Sequence, residues 1–133
     1  HGIELAKKFR LPDRIIDFIR THHGTSLVYY FYMQEKSNNE EVDIEKFRYP
    51  GPNPFSKETA ILMMCDAAEA ASKSIKEPTA QTIDSLIDKI ILKQMDDGQF
   101  MNTDITFKDI KLVKKVLKDK LKNIFHLRIE YPE

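Results

Sequence analysis

The sequence predicts an all-α domain of about six helices, and three observations carry that reading. Ile83, Leu86, Ile87, Ile90 and Ile91 recur at i, i+3, i+4, i+7 and i+8, with Asp84, Asp88 and Lys89 on the other side. Ile110, Val113, Leu117, Leu121 and Ile124 form a second stripe, and lysines fill its outer face. The turn-formers Pro50, Gly51, Pro52 and Pro54 collect in one aperiodic stretch, residues 37–55, which reads as one long loop.

In chain order, residues 2–10 read as the end of a helix. Pro12 suits the first turn of the next, because its missing N–H has no helical partner there. Ile15, Ile16 and Ile19 are expected to face inward, with the helix ending near Gly24. Residues 26–36 are rich in aromatics, but the spacing of Leu27, Tyr30 and Phe31 favours a helix over a strand. After the loop, Ser56 is placed to cap a helix running to about residue 75. Pro78 separates that helix from the Ile83 stripe, and Gly98 is a natural stop for the stripe's helix. Thr106, with Asp109 three residues on, predicts a capping box for the last one. Residues 127–133 read as an extended tail.

The 133 residues hold one domain or part of one, with enough chain for a real core. Hydrophobic residues at 41% and charged residues at 32% place it among globular proteins. Lys plus Arg equals Asp plus Glu at 21 each, so no net field recruits a nucleic-acid polymer. The one cysteine, Cys65, excludes an intramolecular disulfide and a multi-cysteine zinc cage, and reads as a small buried hydrophobe. No stretch approaches the roughly 20 apolar residues of a membrane span. The chain opens on His1 without a methionine and is read as an excised piece of a longer protein.

The residues with most chemistry are His22 and His23, followed by Gly24 and Thr25, and the lone Asp66 in an otherwise apolar helical run. Imidazole and carboxylate together suit Zn, Mn or Fe in hydrolytic centres. Neighbours on a helix diverge by about 100°, so two adjacent histidines can share a site only where the helix ends. A surface pair of histidines is the competing reading. For Asp66 it is a carboxylate on the polar face, against a ligand whose burial among alanines would need a partner. His126, between Phe125 and Leu127, reads as a packing histidine.

Five segments resemble a known family in order and spacing: Glu4-Leu5-Ala6-Lys7-Lys8-Phe9-Arg10-Leu11-Pro12, His22-His23-Gly24-Thr25, Phe47-Arg48-Tyr49-Pro50-Gly51-Pro52, Lys57-Glu58-Thr59-Ala60-Ile61-Leu62-Met63-Met64 and Asp66-Ala67-Ala68-Glu69-Ala70-Ala71. The chain resembles the HD-domain phosphodiesterases that sit behind a seven-helix membrane anchor and hydrolyse cyclic di-AMP to linear di-AMP. The resemblance implies that residues 1–133 are the C-terminal portion of a cytoplasmic HD phosphohydrolase domain in a bacterial inner-membrane protein. The His-Asp pair that names the superfamily, and two further ligating histidines, would lie upstream. His1 stands where the family usually has aspartate and is not counted as a ligand.

In that family His22 and His23 would ligate one ion of a two-metal centre, and Asp66 the other, the metals being Mn or Fe. Substrate contacts are expected from Arg48 and Tyr49 in the proline-stiffened loop, as cation and stacking surface. Lys57 and Lys73 bracket Asp66 by nine and seven residues, near two turns, and are further candidates. The competing reading has Tyr49 packed and Arg48 solvated. By itself the chain is expected to be inactive, to bind no metal tightly and to self-associate, touching a membrane only through the missing region. The alternative function is a non-catalytic helical module that binds a nucleotide or a protein.

Overall fold

Among the described residues six α-helices follow one another: α1 (Gly2–Lys8), α2 (Asp13–Thr21), α3 (Tyr29–Asn38), α4 (Lys57–Ser72), α5 (Ala80–Asp96) and α6 (Phe107–Ile124). This computed structural model describes residues 1–127, so the expected extended tail lies outside the described residues except for Leu127. Among the described residues there is no strand, only an isolated antiparallel bridge between Leu27 and Arg48. A short 3-10 helix, Ile44–Phe47, interrupts the long loop.

The three long helices start where local chemistry says they should. Ser56 and Thr59, Thr79 and Thr82, and Thr106 and Asp109 form reciprocal capping boxes that satisfy N–H groups with no partner inside the helix. Helix α4 then packs against α2, α5 and α6, and α5 packs along α6. Met64, Ile83, Ile87 and Ile91 are completely buried, each contributing roughly 1.5–3 kcal/mol of transfer free energy. Ala60 and Ala68 give α4 the small faces that let its neighbours close in. Around the rim of α5 and α6, Asp88 accepts Lys118 at 2.9 Å and Asp84 accepts Lys122 at 2.8 Å.

Several expectations need correction. Ile15 and Ile124 fall at the margins of their stripes and are 42% and 66% exposed, because the packed face is narrower than the apolar run. His126 is exposed, at a φ of +57° just past the end of α6, so it is not a packing histidine. Pro12 is the residue before α2 rather than within its first turn. Helix α3 starts at Tyr29, later than residue 26, because the backbone before it pairs with the loop: Val28 N–H donates to Phe47 O at 2.6 Å and Tyr49 N–H to Ser26 O at 2.9 Å. Cys65 is half-buried, and burial pushes its thiol pKa up. No helix among the described residues is long and apolar enough to cross a membrane.

Candidate metal centre

His22 and His23 sit where α2 runs out. Thr21, fully buried, folds its hydroxyl back onto Asp17 O at 2.7 Å, and His22 caps the helix. Gly24 follows at a φ of +52°, a conformation that favours glycine. A Cβ there would also collide with Oε1 of Gln99 and lie 3.1 Å from Oδ1 of Asn53. Ending the helix removes the divergence that would keep adjacent histidines apart, and the two ring centroids are 4.0 Å apart. Asp66 comes from the middle of α4, the helix on which α2 packs.

Ligand atoms of His22, His23 and Asp66 all lie within 4.8 Å of one another. Ions of this class hold nitrogen and oxygen at about 2.0–2.2 Å, so donors on one ion stand no more than about 4.4 Å apart. The trio is therefore near the span one ion needs, or that two adjacent ions would share. The protonation states suit the task. Nδ1 of His22 lies 2.8 Å from Ile19 O, and a carbonyl only accepts, so Nδ1 carries the hydrogen and Nε2 is the ring atom left to face an ion. Burial, and then the neighbouring His22, hold the pKa of His23 below its ordinary value despite the pull of Asp66, which keeps it neutral at pH 7. The donor set fits a divalent transition metal.

The loop reaches this group through Tyr49, whose ring stacks on His23 at 4.3 Å between centroids and 10° between planes. Arg48, next to it, is engaged by protein groups. Its Nη1 donates to Thr25 O at 3.1 Å and pairs with Asp97 at 3.1 Å, and its Nε pairs with Glu45 at 3.2 Å. These carboxylates raise its pKa further. Nine residues make two and a half helical turns, so Lys57 lies on the face of α4 opposite Asp66, where it pairs with Asp109 of α6 at 3.5 Å. Lys73, seven residues on, shares the Asp66 face and pairs with exposed Glu69 at 2.9 Å. The structure thus brings His22, His23, Asp66 and Tyr49 together, holds Arg48 one step behind, and takes Lys57 away.

Three residues around the centre escaped the sequence reading: Asn53, Asp97 and Gln99. Oδ1 of Asn53 accepts the Thr25 N–H at 3.0 Å and its hydroxyl at 2.8 Å. Oε1 of Gln99 accepts the same N–H at 3.0 Å, while its Nε2 donates to Oγ1 of Thr25 at 3.1 Å and to Asp97 at 2.9 Å. Only the placement of Asn53 among prolines and of Gln99 just after Gly98 hinted at them, and neither is a specific signal.

No protein-family model matches the chain. Over 132 residues, 99% of its length, it is 42% identical to the cyclic-di-AMP phosphodiesterase PgpH of Bacillus subtilis and 43% identical to that of Listeria monocytogenes. An uncharacterized Synechocystis protein is 32% identical over 137 residues. The chain spans about a fifth of the length of these relatives, 19%, 18% and 17% respectively. Among solved structures it is similar to the L. monocytogenes PgpH HD domain in complex with cyclic-di-AMP, with a TM-score of 0.91 and 43% identity over 98% of this chain and 61% of that one. A second structure of that HD domain gives a TM-score of 0.87 at 42% identity, over 94% of this chain and 58% of the other. Over nearly its whole length, the chain is a homologue of the HD domain of the PgpH cyclic-di-AMP phosphodiesterases.

Proposed function

We propose that this chain is the C-terminal portion of an HD phosphohydrolase domain, and that the full-length protein hydrolyses cyclic di-AMP to linear di-AMP. The observation that carries this reading is the convergence of His22, His23 and Asp66 within 4.8 Å. Identity of 42–43% to two enzymes of that name supports it independently. His22, His23 and Asp66 would hold part of a two-metal centre of Mn or Fe, with the remaining ligands on upstream helices. Such ions, when bound, polarise a phosphate and lower the pKa of a bound water enough to make it a nucleophile near neutral pH.

The residues of this chain do the rest. The His22 ring is oriented by its Nδ1–H bond to Ile19 O, and Asp66 supplies negative charge from a helix rigidly built into the core. Tyr49 offers a flat face for an adenine base beside the histidines, and stacking of this kind is worth about 1–3 kcal/mol per base. Arg48 serves substrate binding by holding the Tyr49 segment against Thr25 and Asp97, and Lys73 is the cation available to a phosphate on the Asp66 face. The resemblance supports a location on the cytoplasmic side of a membrane-anchored protein.

The test is hydrolysis of cyclic di-AMP by the full-length protein with Mn²⁺ or Fe²⁺. His22→Ala, His23→Ala and Asp66→Ala should each cost orders of magnitude in turnover while leaving the helical fold intact. Near-normal turnover in a folded variant would remove that residue from the site.

A further inference from the structure

We infer that Gln99 is a positioning residue for this centre: its buried amide holds the Gly24–Thr25 turn, and through it both His23 and the Tyr49 ring stacked on His23. The inference rests on the metal-site reading above and adds a residue from the connection between α5 and α6. Gln99 is completely buried, so both donors and the acceptor of its amide must be satisfied inside the protein. The orientation of that amide is forced. The carboxylate of Asp97, 2.9 Å away, only accepts, so the nearer group is the NH₂ and Oε1 faces the Thr25 N–H.

The bonds then close into a ring. Nε2 of Gln99 donates to Oγ1 of Thr25, which passes its own hydrogen to Oδ1 of Asn53. Asp97 accepts from Gln99 and from Arg48, and Nη1 of Arg48 returns to Thr25 O. Every polar group of Thr25 is taken by this circuit. Thr25 is two residues from His23, with only Gly24 between, and Oε1 of Gln99 sits where a Cβ on Gly24 would have to go. Arg48 precedes Tyr49 directly, and the Tyr49 N–H is bonded to Ser26 O beside Thr25. Gln99 therefore fixes the metal-side histidine and its stacking partner at once, from the connection between α5 and α6, while lying outside the ligand trio. Groups bonded directly to a metal ligand change its affinity by about 10–100-fold when removed, and Gln99, one bond further out, belongs at the lower end of that range.

The experiment uses the full-length protein and Mn²⁺ as the probe. Gln99→Met keeps the volume and removes the amide. Calorimetric titration should show Mn²⁺ binding about tenfold weaker, and KM for cyclic di-AMP should rise as the Tyr49 segment loses its anchor. Ile87→Ala is the control for general destabilisation: it excavates the core away from the circuit and should leave Mn²⁺ affinity of the folded protein within about twofold. Should Gln99→Met fail to fold, Thr25→Val keeps the shape, deletes the two bonds of the Thr25 hydroxyl, to Gln99 and to Asn53, and should weaken Mn²⁺ about 3–10-fold. Affinity within about twofold of the unsubstituted protein in Gln99→Met, or in Thr25→Val in its place, overturns the inference while leaving the metal site standing; so does an equal loss in Ile87→Ala. A full-length protein that binds no Mn²⁺ at all removes the metal site itself, and this inference with it.

Discussion

The two halves of the molecule are built on different principles. From Ser56 onward, α4, α5 and α6 share an apolar core in which Ala60, Met64, Ile83, Ile87 and Ile91 are completely buried. Before the loop, α1 and α2 bury only Ala6, Ile16 and Thr21, while Leu5, Phe9, Leu11 and Ile15 remain 41–71% exposed. No described side chain of α3 is buried. Yet the candidate ligands are divided between the halves, the histidines on the thinly packed side and Asp66 on the densely packed one. The histidine end of the candidate site is held by directional bonds around Thr25, and the Asp66 end by packing.

The largest effect tests the division directly. The chain by itself should give no measurable turnover of cyclic di-AMP and should bind Mn²⁺ weakly. Three ligands shared between two ions leave each with at most two, below what a tight site needs. Stoichiometric binding of two ions with turnover, in a calorimetric titration paired with a hydrolysis assay, would show a complete site within these 133 residues.

Next in size is the contrast in packing. Ile87→Ala, in a fully buried position, should destabilise by about 2–5 kcal/mol, and Ile15→Ala, 42% exposed, by less than about 1 kcal/mol. Chemical denaturation followed by circular dichroism reads both. Equal losses would mean that the light half is as tightly packed as the heavy one.

A smaller, kinetic effect is expected at the junction. Arg48→Ala removes the bonds to Thr25 and Asp97, and should raise KM several-fold while turnover at saturation changes less, because Asn53 and Gln99 still hold Thr25 beside the histidines. Steady-state kinetics on the full-length protein decide it, and unchanged constants would make the loop structural only. The smallest effect concerns association. The exposed apolar face of α1 and α2 should make the chain by itself self-associate weakly, and Phe9→Ser, at 71% exposure, should reduce that. Sedimentation at several concentrations measures the change, and a monomer throughout would show that this face is tolerated in water.

Much of the fold was legible because helix formation here is local. Ile83, Ile87 and Ile91 recur within one helix, Thr106 finds Asp109 three residues away, and Gly98 stops α5 in the left-handed conformation only glycine adopts freely. The convergence of His22, His23 and Asp66 followed a different cue: few residue types bind metals, and the motif order singled out those three, whose ligand atoms lie within 4.8 Å of one another. Lys57 misled because nine residues look like two turns and are two and a half, which reverses the face. Ile15 and His126 misled because an apolar neighbourhood in sequence does not say which residue touches the core.

What the sequence determined by itself is where helices begin, where they stop and which residues can hold a metal, since each depends on residues within a turn or two. What only the tertiary structure decided is how those residues are held: Tyr49 on His23, Arg48 turned to Asp97, and a glutamine 74 positions beyond Thr25 completing its hydrogen bonds. The hydrogen bonds around Thr25 have no period and no propensity; they exist because burial leaves a polar group nowhere else to turn.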